Sequence, residues 1–460
     1  MIHKFSQNGY YIVLDVNSGA VHVLDELCYD VVDYTGPGMT SECPEEALAA
    51  LSKKYREGDI REAYAELLDL TRKGHLHASD DDYAVYAKQG VESPVKALCL
   101  NVAHDCNLRC EYCFASKGDF GHGRKLMPLE VGKKAIDFLI EHSGKRHNLE
   151  VDFFGGEPLM NFEVVRGVVD YARLLEPVHN KNFRFTITTN GVLLNKENME
   201  YINREMSNIV LSLDGRREVN DRLRVFENGS GSHDTIIPKY QELIASRDRG
   251  KDYYVRGTFT THNLDFTEDV KYIRSLGFDQ ISIEPVVSDP KLDYSIQETD
   301  LKTVYREYEK LADYILAQKK AGDSINFFHF MIDLDQGPCA IKRLRGCGCG
   351  NEYVAITPEG DIYPCHQFIG TDGYWKMGSV LDDTFREDIK KRFSKANIYG
   401  KPACRECWAR FYCSGGCNAN NQQYAGDVLG QHKLACDLMK KRLECAIMIK
   451  VALAADEGRK

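Results

Sequence analysis

Apolar and polar positions along this chain switch between a period of two and a helical period in a regular order. Near the start, Tyr10–Asp15 and Ala20–Leu24 read as two short strands around the turn Asn17-Ser18-Gly19. Helical spacing follows over Glu26–Tyr34, Pro44–Tyr55 and Ile60–Lys73. From about Ser93 to Ser324, strand and helix patterns alternate. The strand candidates are Ala97–Val102, Leu149–Phe154, Phe183–Thr188, Ile209–Leu213, Tyr253–Phe259 and Ile281–Val286, with helices between them such as Leu129–His142, Val164–Leu174 and Tyr240–Ser246. Six strand–helix units predict an α/β fold: a parallel sheet curled into a partial (β/α)6 barrel, with its active site at the C-terminal ends of the strands. A third segment, about Phe330 to Ala446, is marked by glycines and cysteines instead. The expected domains are therefore 1–81, 93–324 and 330–446.

Composition narrows the setting. The 460 residues carry 43% hydrophobic and 28% charged residues, ordinary for a globular protein of two to four domains. No apolar run approaches the ~18 residues of a membrane span. The N-terminus has no signal-peptide pattern, so a cytoplasmic protein without a membrane partner is expected. In that compartment 16 cysteines argue for metal ligation over disulfides. A net charge of −10 speaks against nucleic acid as a partner.

The densest chemistry is Cys106-x3-Cys110-x2-Cys113, directly after the first central strand. Three close thiolates suit an iron–sulfur cluster, and a four-iron cluster with three protein ligands keeps one iron open. A zinc site normally shows four ligands. Phe154-Gly155-Gly156-Glu157-Pro158 ends the second strand, Thr188-Thr189-Asn190-Gly191 the third and Ser212-Leu213-Asp214-Gly215 the fourth. Asp221-Arg-Leu-Arg224 follows in a loop. The third segment holds Cys347, Cys349 and Cys365, then Cys404-x2-Cys407-x5-Cys413-x3-Cys417 and Cys436.

The first cysteine run, with Tyr112 before its third cysteine, resembles the signature of the radical S-adenosylmethionine (SAM) enzymes. In that family the open iron chelates the methionine part of SAM, and an electron from the cluster splits SAM into methionine and a 5′-deoxyadenosyl radical. The resemblance implies that Tyr112, Gly155, Gly156, Glu157, Asn190, Ser212, Asp214 and Arg224 line the SAM site. In this scheme Glu157 takes the amino group, Ser212 the ribose hydroxyls and Arg224 the carboxylate. Gly360-x4-Cys365 and the cysteine order resemble the C-terminal extension called SPASM, which holds two auxiliary clusters. That implies three 4Fe-4S clusters in all. Cys404, Cys407, Cys413 and Cys436 would ligate the far auxiliary cluster, and Cys347, Cys365 and Cys417 the nearer one. The fourth ligand of the nearer cluster stays open between Cys339, a substrate thiol and none. Cys349 is read as non-ligating, and Cys28, Cys43, Cys99 and Cys445 as small packed residues.

The first segment resembles the winged-helix-like domain with which enzymes of ribosomally made peptides bind a leader by adding it to a sheet edge, expected here at the two-strand edge near Tyr10–Asp15 and Ala20–Leu24. Over essentially its whole length the chain is similar to the maturases of small peptides with six cysteines in forty-five residues. That similarity implies a precursor peptide with a leader as substrate, a reduced ferredoxin- or flavodoxin-type electron donor, and a sactipeptide-type bond from a cysteine sulfur to an α-carbon. His366, after Cys365, stands where sulfatase maturases carry an Asp that serves as a base, and it is a candidate base. Formylglycine formation on a sulfatase, a carbon–carbon peptide crosslink and a non-catalytic iron–sulfur sensor are the alternatives.

Overall fold

The computed structural model describes residues 1–80, 93–334, 340–370 and 373–457. Cys339 lies outside the described residues.

The N-terminal unit is a three-stranded antiparallel sheet, β1 (Ile2–Gln7), β2 (Tyr10–Asp15) and β3 (Val21–Leu24), followed by helices Glu26–Val31, Glu45–Leu51 and Glu57–Arg72. β1 is absent from the sequence reading because Ile-His-Lys-Phe-Ser-Gln shows no sustained alternation. Its presence changes one expectation. β2 pairs with β1 on one side and β3 on the other, so Tyr10–Asp15 is not a sheet edge; β1 and β3 are the edges. A buried cluster that includes Val13, Val31, Ala47, Ile60 and Leu67 joins this sheet to its helices.

Residues 93 onward build one sheet of twelve strands. The parallel strands β4 (Ala97–His104), β6 (Asn148–Gly155), β7 (Asn182–Thr189), β8 (Met206–Ser212), β9 (Asp252–Phe259) and β10 (Gln280–Pro285) lie side by side in chain order. These are the six expected strands, each within three residues of its predicted limits at either end. A short seventh, β11 (Asn326–Phe327), pairs with the start of β10. The two-residue β5 (Lys125–Leu126) straps the end of β4. On one face the alternating Val151, Phe153, Phe185, Ile187, Ile209, Leu211 and Val255 are fully buried under helices such as Leu129–His142 and Phe162–His179. The other face carries Cys99, Asp152, Phe154, Thr188, Ser212 and Arg256.

The third segment continues this sheet instead of forming a separate layer. β12 (Tyr353–Ile356) pairs in parallel with β4, and β13 (Asp361–Tyr363), β14 (Gly378–Ser379) and β15 (Thr384–Phe385) follow as antiparallel strands. A helix of 25 residues, Lys433–Glu457, packs on Leu301–Lys320. It was not legible as an amphipathic pattern because Cys445, Ala446, Ile447, Met448 and Ile449 are buried in succession, which spreads apolar residues around the axis. No described helix is long and apolar enough to cross a membrane.

The β4–β12 seam is held by a buried ion cluster. Glu352 pairs with both Arg345 and Lys96, while its carbonyl accepts from Lys96 N at 2.7 Å. Burial opposes the Glu352 charge, but Lys96 and Arg345 overcome it and hold the carboxyl below its ordinary range. Its stabilising contribution is therefore full above the unfolded pKa and lost as pH falls through the folded one. Glu352→Gln is expected to destabilise the protein by roughly 3–5 kcal/mol, since it strands buried cations. Thermal melting at neutral pH would show this as a lowered Tm, and the gap between wild type and variant should narrow in acid.

Candidate active site and cluster cysteines

The cysteine loop leaves the end of β4 at an irregularity, where the pairing with β6 shifts between Asn101 and Ala103. Two consecutive backbone bonds then zip the Gly-Gly-Glu turn onto this exit: Gly156 N to Ala103 O at 2.7 Å and Glu157 N to Asp105 O at 2.8 Å. Both glycines are required. A Cβ on Gly155 would stand 2.2 Å from Ala103 O, and one on Gly156 2.1 Å from Asp105 O; Gly155 also has φ +125°. The glycines thus bring β6 against the chain's own cysteine loop, a closer constraint than the ligand approach read from the motif. The loop's far side is tied by Arg109 N to Val225 O at 2.7 Å and Glu111 N to Leu223 O at 3.0 Å.

Glu157 is fully buried and clamps the end of β7. Its carboxylate accepts from Leu159 N (3.0 Å), Thr189 Oγ1 (2.7 Å) and Asn190 N (2.7 Å). Burial raises its pKa to about 6, against these three donors. Asn190 continues the chain of contacts, donating to Asn107 Oδ1 at 2.8 Å and to Cys106 Sγ at 3.5 Å. Ser212 ends β8, and its carbonyl accepts from Tyr240 Oη at 3.0 Å.

Across the mouth, Arg224 donates to Tyr112 Oη at 2.9 Å, and Tyr112 donates to Asp214 at 2.7 Å. All three are deeply set. Burial works against the Arg224 charge, yet Tyr112, Cys110 and Asp214 carry its pKa well above the ordinary value. Burial raises the pKa of Asp214, opposed by Arg224. Arg224 Nε is buried with no partner among the described residues. A buried guanidinium donor that is left unmet suits an anionic ligand such as an amino-acid carboxylate. A pocket of about 140 Å³ opens beside this triad, lined by Asp214, Thr258, Thr260 and His262 among others.

The donor set at these sites is made of thiols, the ligand type that iron–sulfur clusters take. Burial pushes Cys106 up to about 12 and Cys110 up to about 11, so bound metal must displace protons there. Among the described residues no three His, Cys, Asp or Glu side chains converge on one ion-sized point. The cysteines face one another in groups instead. Cys436 feels Cys413, Cys404 and Cys407, the four proposed for the far cluster. Cys417 feels Cys365 and Cys347, the three proposed for the nearer one. Cys349, read as non-ligating, is buried and directs its thiol at Cys365, whose pKa falls in consequence.

His366 joins the two regions. Its ring stacks on Phe154 (centroids 4.7 Å apart, 10° between planes) and lies 5.0 Å from Phe114, which follows Cys113. Its Nδ1 is 3.5 Å from Cys99 Sγ, so the buried Cys99 packs against the site. Burial, then the charge of Arg256, lowers the His366 pKa to about 4, so the ring is neutral near pH 7.

Sequence reasoning missed Lys401. Its side chain is fully buried, with Nζ donating to Gly415 O (2.7 Å) and Asn418 Oδ1 (2.6 Å). Cys404, Cys413, Cys417 and Cys347 all act on it, so it stands between the two auxiliary groups. No motif marks a lone lysine just ahead of Cys404 as buried; only the packing does.

A model of the radical SAM superfamily matches residues 100–246, and a model of an iron–sulfur cluster-binding domain, SPASM, matches residues 347–408. The chain carries a radical SAM domain and a SPASM domain. With them come SAM and iron–sulfur clusters as cofactors. An uncharacterised protein of Methanocaldococcus jannaschii is 32% identical over 191 residues, which is 41% of this chain and 62% of that protein. A cysteine-type anaerobic sulfatase-maturating enzyme of Clostridium novyi is 24% identical over 69% of this chain and 86% of its own length. Among solved structures, anSMEcpe with bound AdoMet and the Kp18Cys peptide superposes with a TM-score of 0.64 at 19% identity, over 79% of this chain and 100% of that one. Streptococcus suis SuiB bound to its precursor peptide SuiA gives 0.53 at 19% identity, over 92% and 95%. Both likenesses establish the fold.

Two outcomes are expected. Replacing Cys106, Cys110 or Cys113 with Ala should remove about four irons per chain and abolish SAM cleavage while the auxiliary clusters stay; normal 5′-deoxyadenosine release would contradict the assignment. Lys401→Met should lower the potential of an auxiliary cluster in an EPR-monitored redox titration, because a nearby positive charge favours the more negative, reduced state, and Lys401→Arg should restore most of it.

Proposed function

We propose that this chain is a maturase that installs a thioether between a cysteine sulfur and an α-carbon in a ribosomally made, cysteine-rich peptide. The observation that carries the reading is the position of His366. It comes from the segment of the auxiliary cysteines yet forms one aromatic wall with Phe154 and Phe114 beside the first cysteine loop. A peptide held there lies between the SAM site and the nearer auxiliary group. SAM and the three 4Fe-4S clusters supply hydrogen abstraction and the removal of the leftover electron.

The chain's own residues bind, orient and shield. Glu157 receives the SAM amino group on its remaining lone pair, Arg224 takes the carboxylate with Nε, and Ser212 the ribose. Tyr112 and Asp214 hold the guanidinium in place. Neutral His366 can accept a proton from a substrate thiol, though its low pKa makes it a weak base. The aromatic wall keeps water from the reacting carbon. The curvature of a partial barrel, the domain limits 1–81, 93–324 and 330–446, and a cytoplasmic setting with a ferredoxin- or flavodoxin-type donor belong to this reading.

The N-terminal unit is, in this reading, a winged-helix-like leader domain. Since β2 is paired on both sides, β3 is the edge on which an added strand would dock; Val23 is exposed on it. SuiB, solved with its precursor peptide, aligns over 92% of this chain. Formylglycine formation is the second reading, favoured by the Clostridium novyi relative; the residue after Cys365 is here a histidine and not the acid those maturases use.

Mass spectrometry tests the choice. The iron-loaded enzyme with SAM, a reductant and a leader-bearing cysteine-rich precursor peptide should yield a peptide lighter by two hydrogens per bridge and resistant to alkylation. A formylglycine aldehyde, or no change, would overturn the reading. Removing residues 1–80 should leave SAM cleavage without peptide in place and weaken binding of a labelled leader at least tenfold, measured by fluorescence anisotropy.

A further inference from the structure

The open face of the sheet carries a second braced arginine that none of the SAM contacts uses. Arg256 on β9 is in register with Ser212 on β8 and Ser282 on β10. It therefore stands one strand spacing, roughly 4.8 Å, from the proposed ribose contact. Its side chain is half exposed to the mouth. Arg256 Nη2 pairs with Glu284; its Nε and Nη1 make no protein hydrogen bond among the described residues.

The brace behind it is specific. Arg442 Nη1 lies 3.1 Å from His329 Nδ1, and Arg442 can only donate. That ring nitrogen must accept, so the proton sits on Nε2, which faces Ser282 Oγ at 3.1 Å and Glu284 Oε1 at 3.6 Å. The imidazole is nearly buried and neutral: burial and Arg442 lower its pKa to about 3. Glu284 is ionised: the Arg256 guanidinium, with Arg442 behind it, brings its pKa down to about 2 against its own burial. Arg256 pairs with the carboxylate directly and Arg442 reaches it only through the His329 ring, so two guanidinium charges beside one carboxylate leave one net positive charge at the mouth. Arg442 comes from the C-terminal helix Lys433–Glu457, so the far end of the chain fixes a group beside the SAM site.

We infer that Arg256 is an anion subsite for the peptide substrate, taking the side-chain carboxylate of an Asp or Glu close to the reacting residue. The inference rests on the peptide-maturase reading. A planar fork with two unused N–H groups matches a planar carboxylate better than a point-like thiolate. The substrate thiol has its own candidate place, on the Cys365–His366 side of the mouth. The braced pair would hold the peptide's register relative to the SAM ribose, and so choose which α-carbon is presented.

The test uses the SAM-loaded, iron-loaded enzyme and two capped tripeptides, acetyl-Cys-Gly-Asp-amide and acetyl-Cys-Gly-Asn-amide, by anaerobic calorimetry. The Asp peptide should bind about tenfold more tightly, the size of a charge-assisted hydrogen bond. Arg256→Gln should bind both alike, and Arg256→Lys should keep a reduced preference. Arg256→Glu should reverse it in favour of acetyl-Cys-Gly-Lys-amide, which a merely structural arginine would not do. Iron content and melting temperature serve as folding controls, and Arg256→Lys decides if the Gln variant does not fold. Equal binding of the Asp and Asn peptides by the wild type, or binding of neither, overturns the subsite. Mass spectrometry of the bridged precursor is a separate readout: product formed without any Asp preference sinks the subsite alone, whereas no product sinks the maturase reading.

Discussion

The site depends on how closely two backbones approach at the mouth of the sheet. β4 and β6 meet at Ala103–Asp105 and Gly155–Glu157 with no room for a side chain between them. Two backbone hydrogen bonds fix that contact, and they set where Cys106 begins its loop. Everything else in the first cysteine region is referenced to it. Glu157 leaves the same turn and reaches β7; Asn190 leaves β7 and returns to Cys106. The motif is therefore a closed loop of contacts among three strand ends, and a methyl group at either glycine would open it.

Much of this was legible before the structure. The six central strands and the helix Leu129–His142 follow from periodicity and apolar runs: β6 and β7 alternate buried and less buried positions, while β4 is buried along its whole length. The cysteine groups follow from the resemblance, and in the structure Cys436 lies near Cys404, Cys407 and Cys413, and Cys417 near Cys347 and Cys365. What was not legible has physical reasons. β1 has too few apolar residues to show a period. The C-terminal helix spreads its apolar residues around the axis instead of along one face. Arg256, Glu284, His329 and Arg442 carry no spacing signal, since strand register and a helix from the far end of the chain bring them together, and Lys401 is marked only by its burial. The paired status of β2 also depends on β1, so the edge could not be assigned until β1 was seen.

The N-terminal unit is not a loose appendage. His3 stacks on Trp408 with ring centroids 3.7 Å apart and bonds to Glu444 at 3.1 Å. Arg410 reaches Asn17 Oδ1 at 2.6 Å and Asp80 at 2.9 Å. Trp408 follows Cys407, and Arg410 lies between Cys407 and Cys413. The proposed leader-binding sheet therefore rests on the peptide segment that carries the far cysteine group. The contacts run from β1 and the β2–β3 turn, so a packed chain of side chains joins this sheet to the Cys407–Cys413 segment.

Glu157 shows why a motif can be read correctly in position and incompletely in role. A carboxylate offers about four lone-pair sites. Three are taken by Leu159, Thr189 and Asn190, so at most one faces a ligand ammonium. Most of its work is structural, and the cost of burying its charge is met largely by the protein's own donors. That cost is not fully met, since its pKa stays raised at about 6. An ammonium brought to the last lone pair would complete the set and restore an ordinary carboxylate. The residual strain on this charge is thus a source of affinity for a cationic group. Arg224 mirrors it, with one unmet donor waiting for an anion. A zwitterionic amino-acid end satisfies both at once, and neither residue alone would select for it.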